Sequence, residues 1–469
     1  MTTTTRITTV TDAAAALRHG ETTASELLEQ CLAAADALDD RIGVYLARFD
    51  DLARDRAARV DAKIAAGQPL APLDGIPLGI KDILASTHGP TTAQSQALDS
   101  AWGMAAGDSA VVERLERAGA IITGKTTTME FAVGVPDPDK PFPIPRNAWD
   151  TERWAGGSSS GSASGLATGM FLAAIGTDTA GSIRIPAAFN GTTGLKPTFG
   201  RVPKSGVVPL GYTLDHVGPM ARSAADCALL LSIVAGHDPA DSYSATAPVD
   251  EYPGALTGDL GGLTIGVDNL DRYANAGIDL IQPQRFTAAL DVLAAAGARI
   301  VPVEVPMYPE VVAIDVVVML AEAHAYHRSP LRSRWMDYGR ATRIVLASGS
   351  EISASDYLQA QRVRRIAATR MAELLNDVDL VVTPTGHLGA PRLDAIDQFQ
   401  PLDVLASLHT PYWNPLGNPT LALPIGLSAD GTPLSMSISG KHFDEATVLR
   451  AGDAYQRRTT HHLAIPTIR

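Results

Sequence analysis

The stretch WAGGSSSGSASGLATGMFLAAIGTDTAGSIRIPAAFNG, residues 154–191, is crowded with glycine and serine yet keeps apolar runs such as FLAAIG. A flexible linker has no use for such runs, so these residues read as loops set between buried elements. On either side lie two segments of one pattern. SAVVERLERAGAIITGK (109–125) and QRFTAALDVLAAAGARIVPVEV (284–305) each combine an amphipathic helix, a glycine stop and a short β-branched strand. Gly119 and Gly297 are the expected helix-ending residues. Helices alternating with buried strands predict an α/β fold, a sheet sandwiched between helices.

Further out, the N-terminal segment, about 1–70, reads as helical. Thr23 and Glu26 have capping-box spacing, and Leu27, Leu28, Cys31, Leu32 and Ala35 recur on one helical face. From about residue 73 the texture turns to apolar runs broken by glycine, as in GIPLGIKD (75–82). PADSYSATAPVDEYPGALTGDLGG (239–262) reads as an exposed connection. Because the αβ texture resumes after it, the part beyond it is expected to be a lobe of one domain spanning 1–469.

Composition narrows the function. With 45% hydrophobic and 19% charged residues, the 469-residue chain can bury a core, which excludes disorder as its main state. Lys and Arg number 38 against 51 Asp and Glu, a net charge of −13, which argues against nucleic acid as the ligand. No stretch approaches the ~20 apolar residues of a membrane helix. The start, MTTTTRITTVTDAAAALRHG, lacks a basic region followed by an apolar one, so no secretory signal and a cytoplasmic setting are expected. Cys31 and Cys227 are too few for a disulfide framework or a zinc site, and no metal or cofactor is expected.

Three patterns compete for the chemistry. GAIITGKT (119–126) matches a phosphate loop letter by letter, but a helix precedes Gly119 and the strand falls inside the motif, the reverse of what phosphate binding needs. Gly157-Ser158-Ser159-Ser160-Gly161 matches the G-x-S-x-G elbow of Ser-His-Asp esterases, yet RNAWDTERWAGG before it makes a poor strand. The adjacent Asp215 and His216 need not meet that serine, and His216 reads as a polar loop residue. The third pattern joins Lys81, which ends a buried-looking run, to Ser158 and Ser182 in two Ser/Gly loops. A buried ammonium is costly to desolvate, so burial can lower its pKa until it serves as a neutral base.

GGSSSGSASG followed by GTDTAGSIRIPAAFNGTTGLKPT resembles the amidase signature family. The likeness continues through GIPLGIKD, LDHVGPMARSAAD, GNPTLALPIGL and FDEATVLRAGDAYQ, nearly the whole chain, and the Ser158–Ser182 spacing is the family's. The resemblance implies a single α/β/α domain around a large mixed sheet and a Ser-cisSer-Lys triad. Ser182 would be the nucleophile, Ser158 the bridging serine after a cis peptide bond, and Lys81 the base. Thr179, Ala180, Gly181 and Ser182 would form the oxyanion hole. Ala180 stands where the family usually has glycine, as in allophanate-hydrolase-like members, which points towards urea-like or carbamate substrates.

Around this centre, Asp178 and Arg184 are expected to clamp the nucleophile loop, and Asp82 to point away from Lys81 across the strand. The RVRR run (362–365) reads as the solvated face of a helix. Met129 and Phe131, Tyr326 within EAHAYHR (322–328) and Trp413 beside Tyr412 are candidate pocket walls, with core packing the alternative role of each. Apolar and aromatic lining suits a small-molecule amide, anilide or carbamate. The expected reaction is hydrolysis of a carboxylic amide through an acyl-enzyme, without nucleic acid or membrane, with a homodimer left open. The alternatives are the A subunit of a tRNA-dependent glutamine amidotransferase, whose glutamine-binding pattern the 305–345 region lacks, a Ser-His-Asp esterase, and a non-catalytic scaffold.

Overall fold

A computed structural model describes residues 7–468; residues 1–6 and 469, the two ends of the expected domain, lie outside the described residues. Among the described residues eleven strands build one mixed sheet: β1 Tyr45–Arg48, β2 Pro77–Lys81, β3 Ile121–Thr126, β4 Ala173–Asp178, β5 Thr193–Lys196, β6 His216–Ala221, β7 Thr264–Val267, β8 Arg299–Pro302, β9 Leu380–Pro384, β10 Thr420–Leu427 and β11 Pro433–Gly440. Their order is β1-β3-β2-β4-β6-β5-β10-β11-β9-β7-β8. β2 runs parallel to both β3 and β4, and β7 parallel to both β8 and β9. The remaining pairs, from β4–β6 through β11–β9 and β1–β3, are antiparallel.

The two helix–glycine–strand segments form as their patterns predict. The helices Ala110–Arg117 and Gln282–Ala295 are followed by Gly119 (φ 91°) and Gly297 (φ 108°), and then by β3 and β8. Helices cover both faces of the sheet, and β5 shows how. Thr193 accepts a hydrogen bond from Gln456 of the helix Glu445–Gln456. A Cβ added at Gly194, the next residue, would meet Ile183 and Ala187 at 2.8 and 2.9 Å. Successive residues of a strand face opposite sides, so these two contacts lie on opposite faces.

At the N-terminus the Thr23–Glu26 capping box is present, and Leu27, Leu28, Cys31, Leu32 and Ala35 are the buried face of the helix Ala24–Ile42. The expected all-helical segment is interrupted, however, because β1 turns in to pair with β3. The RVRR run also differs from its expectation. Arg362 and Arg365 are exposed on the helix Ala354–Asp377, but Arg364 is half-buried, turns inward and donates to the carbonyls of Thr213 and Pro415. A run of like charges therefore hides one residue tying three segments together.

Candidate active site

Lys81 and the 177–182 loop emerge together because β2 and β4 are parallel neighbours and end at the same edge. Lys81 is fully buried, with Nζ 2.7 Å from Ser158 Oγ and 2.7 Å from Thr177 Oγ1. Burial drives its pKa from 10.5 down to about 7, and the charges of Asp178 and Asp215 oppose the fall only in part. Asp82 faces the other way, as pleating requires. It pairs with Lys125, Nζ to Oδ1 3.0 Å, so the lysine of the phosphate-loop lookalike is locked inside the protein.

Ser158 follows a cis Gly157–Ser158 peptide bond and precedes the helix Ser160–Thr168. Its neighbour Ser159 binds this turn to the nucleophile loop. Ser159 Oγ donates to Thr177 O, and Ser159 N–H donates to Ser182 O at 3.1 Å. Ser182 keeps 8% of its surface while Lys81 keeps none, so the serine reaches the cavity and the lysine does not.

The loop itself hangs on Asp178. Its carboxylate accepts from Gly181 N–H (2.8 Å), Ile183 N–H (3.2 Å), Arg184 Nε and Nη2 (both 2.9 Å) and Asn414 Nδ2 (2.8 Å). Burial alone would raise the Asp178 pKa, but the Arg184 guanidinium, Lys196 and Asn414 outweigh it and hold the group well below the usual carboxylate range. The Asp178–Arg184 clamp is thus a bidentate buried ion pair. Ala180 has no positive φ, whereas Gly181 sits at φ 130°. Among the expected oxyanion donors Gly181 needs correction: its N–H is already given to Asp178, which leaves Thr179, Ala180 and Ser182.

A cavity opens beside Ser158 and Ser182. Its walls are Met129, Trp154, Leu210, Met319, Leu402 and Leu405, with Ala180 and Thr179 at the serine end. Of the expected pocket residues, Met129 lines it and three do not. Phe131 packs its ring on His327 and Tyr338, 4.4 and 5.5 Å between centroids. Trp413 is buried with Tyr308, Met371 and Tyr412 in a separate core cluster. Tyr326 stands edge-on to Tyr212, which belongs to a second cavity. That cavity holds Thr177, Lys204, Asp215 and Tyr243, and adjoins the first across Ala132, Thr179 and Leu210.

His216 is not a loop residue but the first residue of β6, buried, with both ring nitrogens engaged. Nδ1–H donates to Leu214 O, and Nε2 accepts from Lys196 Nζ at 3.3 Å. Burial and the Lys196 charge push its pKa far down, so it stays neutral and does not assemble with Ser158 or Ser182 as an esterase triad would require. Among the described residues no group of three or more His, Cys, Asp or Glu side chains could hold a metal ion, and no helix is long and apolar enough to cross a membrane.

Several site residues carried no sequence signal. Thr177, Thr410 and Asn414 are polar residues whose partners lie far along the chain, and Met319, Leu402 and Leu405 are ordinary helix or loop apolars until the fold turns them onto the serines.

With this geometry in hand, comparison with known proteins gives the class. A family model described as Amidase matches residues 26–449. An amidase of Pseudomonas putida is 40% identical over 472 residues, 98% of each chain. The A subunit of the glutamyl-tRNA(Gln) amidotransferase of Chloroflexus aggregans is 38% identical over 488 residues, again 98% of each. The crystal structure of the peptide amidase of Stenotrophomonas maltophilia superposes with a TM-score of 0.80 at 28% identity, over 96% of this chain and 97% of that one. The chain belongs to the amidase signature family.

Proposed function

We propose that this chain hydrolyses a carboxylic amide with an apolar acyl part, using Ser182 as nucleophile, Ser158 as proton bridge and Lys81 as base. The observation that carries the reading is a fully buried lysine, its pKa brought down to about 7, in hydrogen-bond contact with Ser158 beside a cavity that Ser182 lines. Neutral Lys81 keeps a donor on Thr177 and offers its lone pair to the Ser158 hydroxyl. Ser182 Oγ then adds to the amide carbon while its proton passes to Ser158 Oγ and the Ser158 proton to Lys81 Nζ. The carbonyl oxygen, now negative, takes the loop N–H groups of Thr179, Ala180 and Ser182. The C–N bond breaks as the relay returns a proton to nitrogen, and the amine leaves. Water, deprotonated by the same relay, attacks the acyl-enzyme and releases the carboxylic acid and Ser182.

A second reading rests on the relatives named as the A subunit of an amidotransferase, which fit the chain as well as the amidase does: a glutamine-hydrolysing protein serving a tRNA-bound partner. The cavity favours the first. Among the described residues no charged side chain lines it, whereas free glutamine brings an α-ammonium and an α-carboxylate that need counter-charges. A hydrolysis panel of anilides, aliphatic amides, carbamates, esters and glutamine separates the two. The expected result is turnover of apolar amides, abolished in Ser182→Ala, with a fluorophosphonate labelling Ser182. Glutaminase activity alone would install the second reading, and full turnover by Ser182→Ala would overturn both.

A further inference from the structure

The oxyanion loop carries a second restraint besides Asp178. Thr410 Oγ1 donates to the Ala180 carbonyl at 2.8 Å, across 230 positions of sequence, and Thr410 is 1% exposed. Ala180 O and Gly181 N–H belong to one peptide plane and project from opposite edges of it. The nitrogen edge is held by Asp178 Oδ1 and the oxygen edge by Thr410. Glycine at 181 makes such a double hold necessary, since the absence of Cβ widens the conformations open to this backbone. The same side chain explains why glycine stands there. A Cβ on Gly181 would come within 2.1 Å of Thr410 Oγ1.

We infer that Thr410 is a positioning residue for the proposed reaction, its hydroxyl fixing the Ala180–Gly181 peptide plane so that the flanking N–H groups of Ala180 and Ser182 aim at the developing oxyanion. The inference rests on the reading of Ser182 as nucleophile. The two flanking donors sit on the peptides immediately before and after the clamped plane, so a rotation of that plane re-aims both. Thr410 opens the 3₁₀ turn Thr410–Tyr412, which continues into Trp413–Leu416, where Asn414 holds Asp178. Just upstream on the same stretch, Leu402 and Leu405 wall the cavity. Thus the chain that touches the acyl cavity also supports both edges of the plane, one directly and one through Asp178.

The test compares wild type, Thr410→Val, Thr410→Ser and Ser182→Ala on one apolar amide, reading kcat, KM, the pH profile and Tm. Valine keeps the shape and removes the donor; serine restores it. Because a misaimed donor is felt only as charge develops, Thr410→Val should lower kcat by about 10- to 100-fold, somewhat less than outright loss of an oxyanion donor. KM should stay within about two-fold. Thr410→Ser should recover most of the rate, and the pH midpoint set by Lys81 should not move in either variant. Wild-type kcat in Thr410→Val overturns the inference. So does a Thr410→Ser variant as slow as Thr410→Val, or a loss shared equally between kcat, KM and Tm. Full turnover in Ser182→Ala overturns instead the nucleophile reading on which the inference stands.

Discussion

Replacing Lys81 by arginine keeps a cation of similar reach and removes the capacity to act as a base, because a guanidinium does not give up its proton in proteins. The structure sets the size of the effect. A lysine at its ordinary 10.5 is almost wholly protonated at pH 7, whereas one brought down to about 7 is half neutral. The fraction of free base thereby rises by three to four powers of ten, on the order of 5 kcal/mol at ~1.36 kcal/mol per decade. Lys81→Arg should lose at least that factor in kcat/KM on an unactivated amide, and Lys81→Ala a comparable one. Wild-type kcat/KM should climb with pH through about 7 and then level off, since the group works when deprotonated. Stability carries the same signature. Between about 7 and 10.5 the unfolded chain holds a proton on Lys81 that the folded chain has lost, so this group's contribution to stability rises with pH across that window. Lys81→Met should flatten that rise in urea titrations run from pH 6.5 to 9. The assay is the pH–rate profile of wild type and Lys81→Arg on one anilide and one aliphatic amide. An arginine variant within ten-fold of wild type on the aliphatic amide, or a wild-type profile flat from pH 5.5 to 9, would refute the reasoning.

Gly181→Ala should cost on the order of 10²-fold in kcat, because the added Cβ meets Thr410 and φ 130° does not suit alanine; steady-state kinetics check it. Arg184→Met leaves Asp178 as a buried carboxylate without its bidentate partner and should lower unfolding free energy by about 3–5 kcal/mol in urea titrations. Met319→Trp narrows the acyl cavity and should shift preference towards short acyl amides by about 10- to 200-fold, read as the ratio of kcat/KM values across a chain-length series.

Local chemistry made part of this molecule legible. The helix–glycine–strand pattern around Gly119 and Gly297 needs only turn geometry and apolar periodicity, and it predicted α/β architecture. A lysine closing an apolar run marked Lys81, and strand alternation put Asp82 on the opposite face, where the structure pairs it with Lys125. What stayed hidden depends on tertiary folding. Nothing beside Thr410 or Asn414 tells that residues 230 and 236 positions away need their hydrogen bonds. Phe131, Tyr326 and Trp413 took the packing role that stood beside the pocket role in the sequence, because a large aromatic near a loop serves a core cluster as readily as a pocket. His216 misled, since a histidine after aspartate looks polar until β6 buries it.

The bracing of the 178–184 loop by Thr410 and Asn414 sets the order of events during synthesis. When the ribosome has made the serines, the residues that hold their loop in shape are still more than two hundred codons away. On the proposed mechanism, a nascent chain carries Lys81, Ser158 and Ser182 before the braces of their loop exist, and the site is complete only once the segment bearing Thr410–Leu416 has emerged and docked.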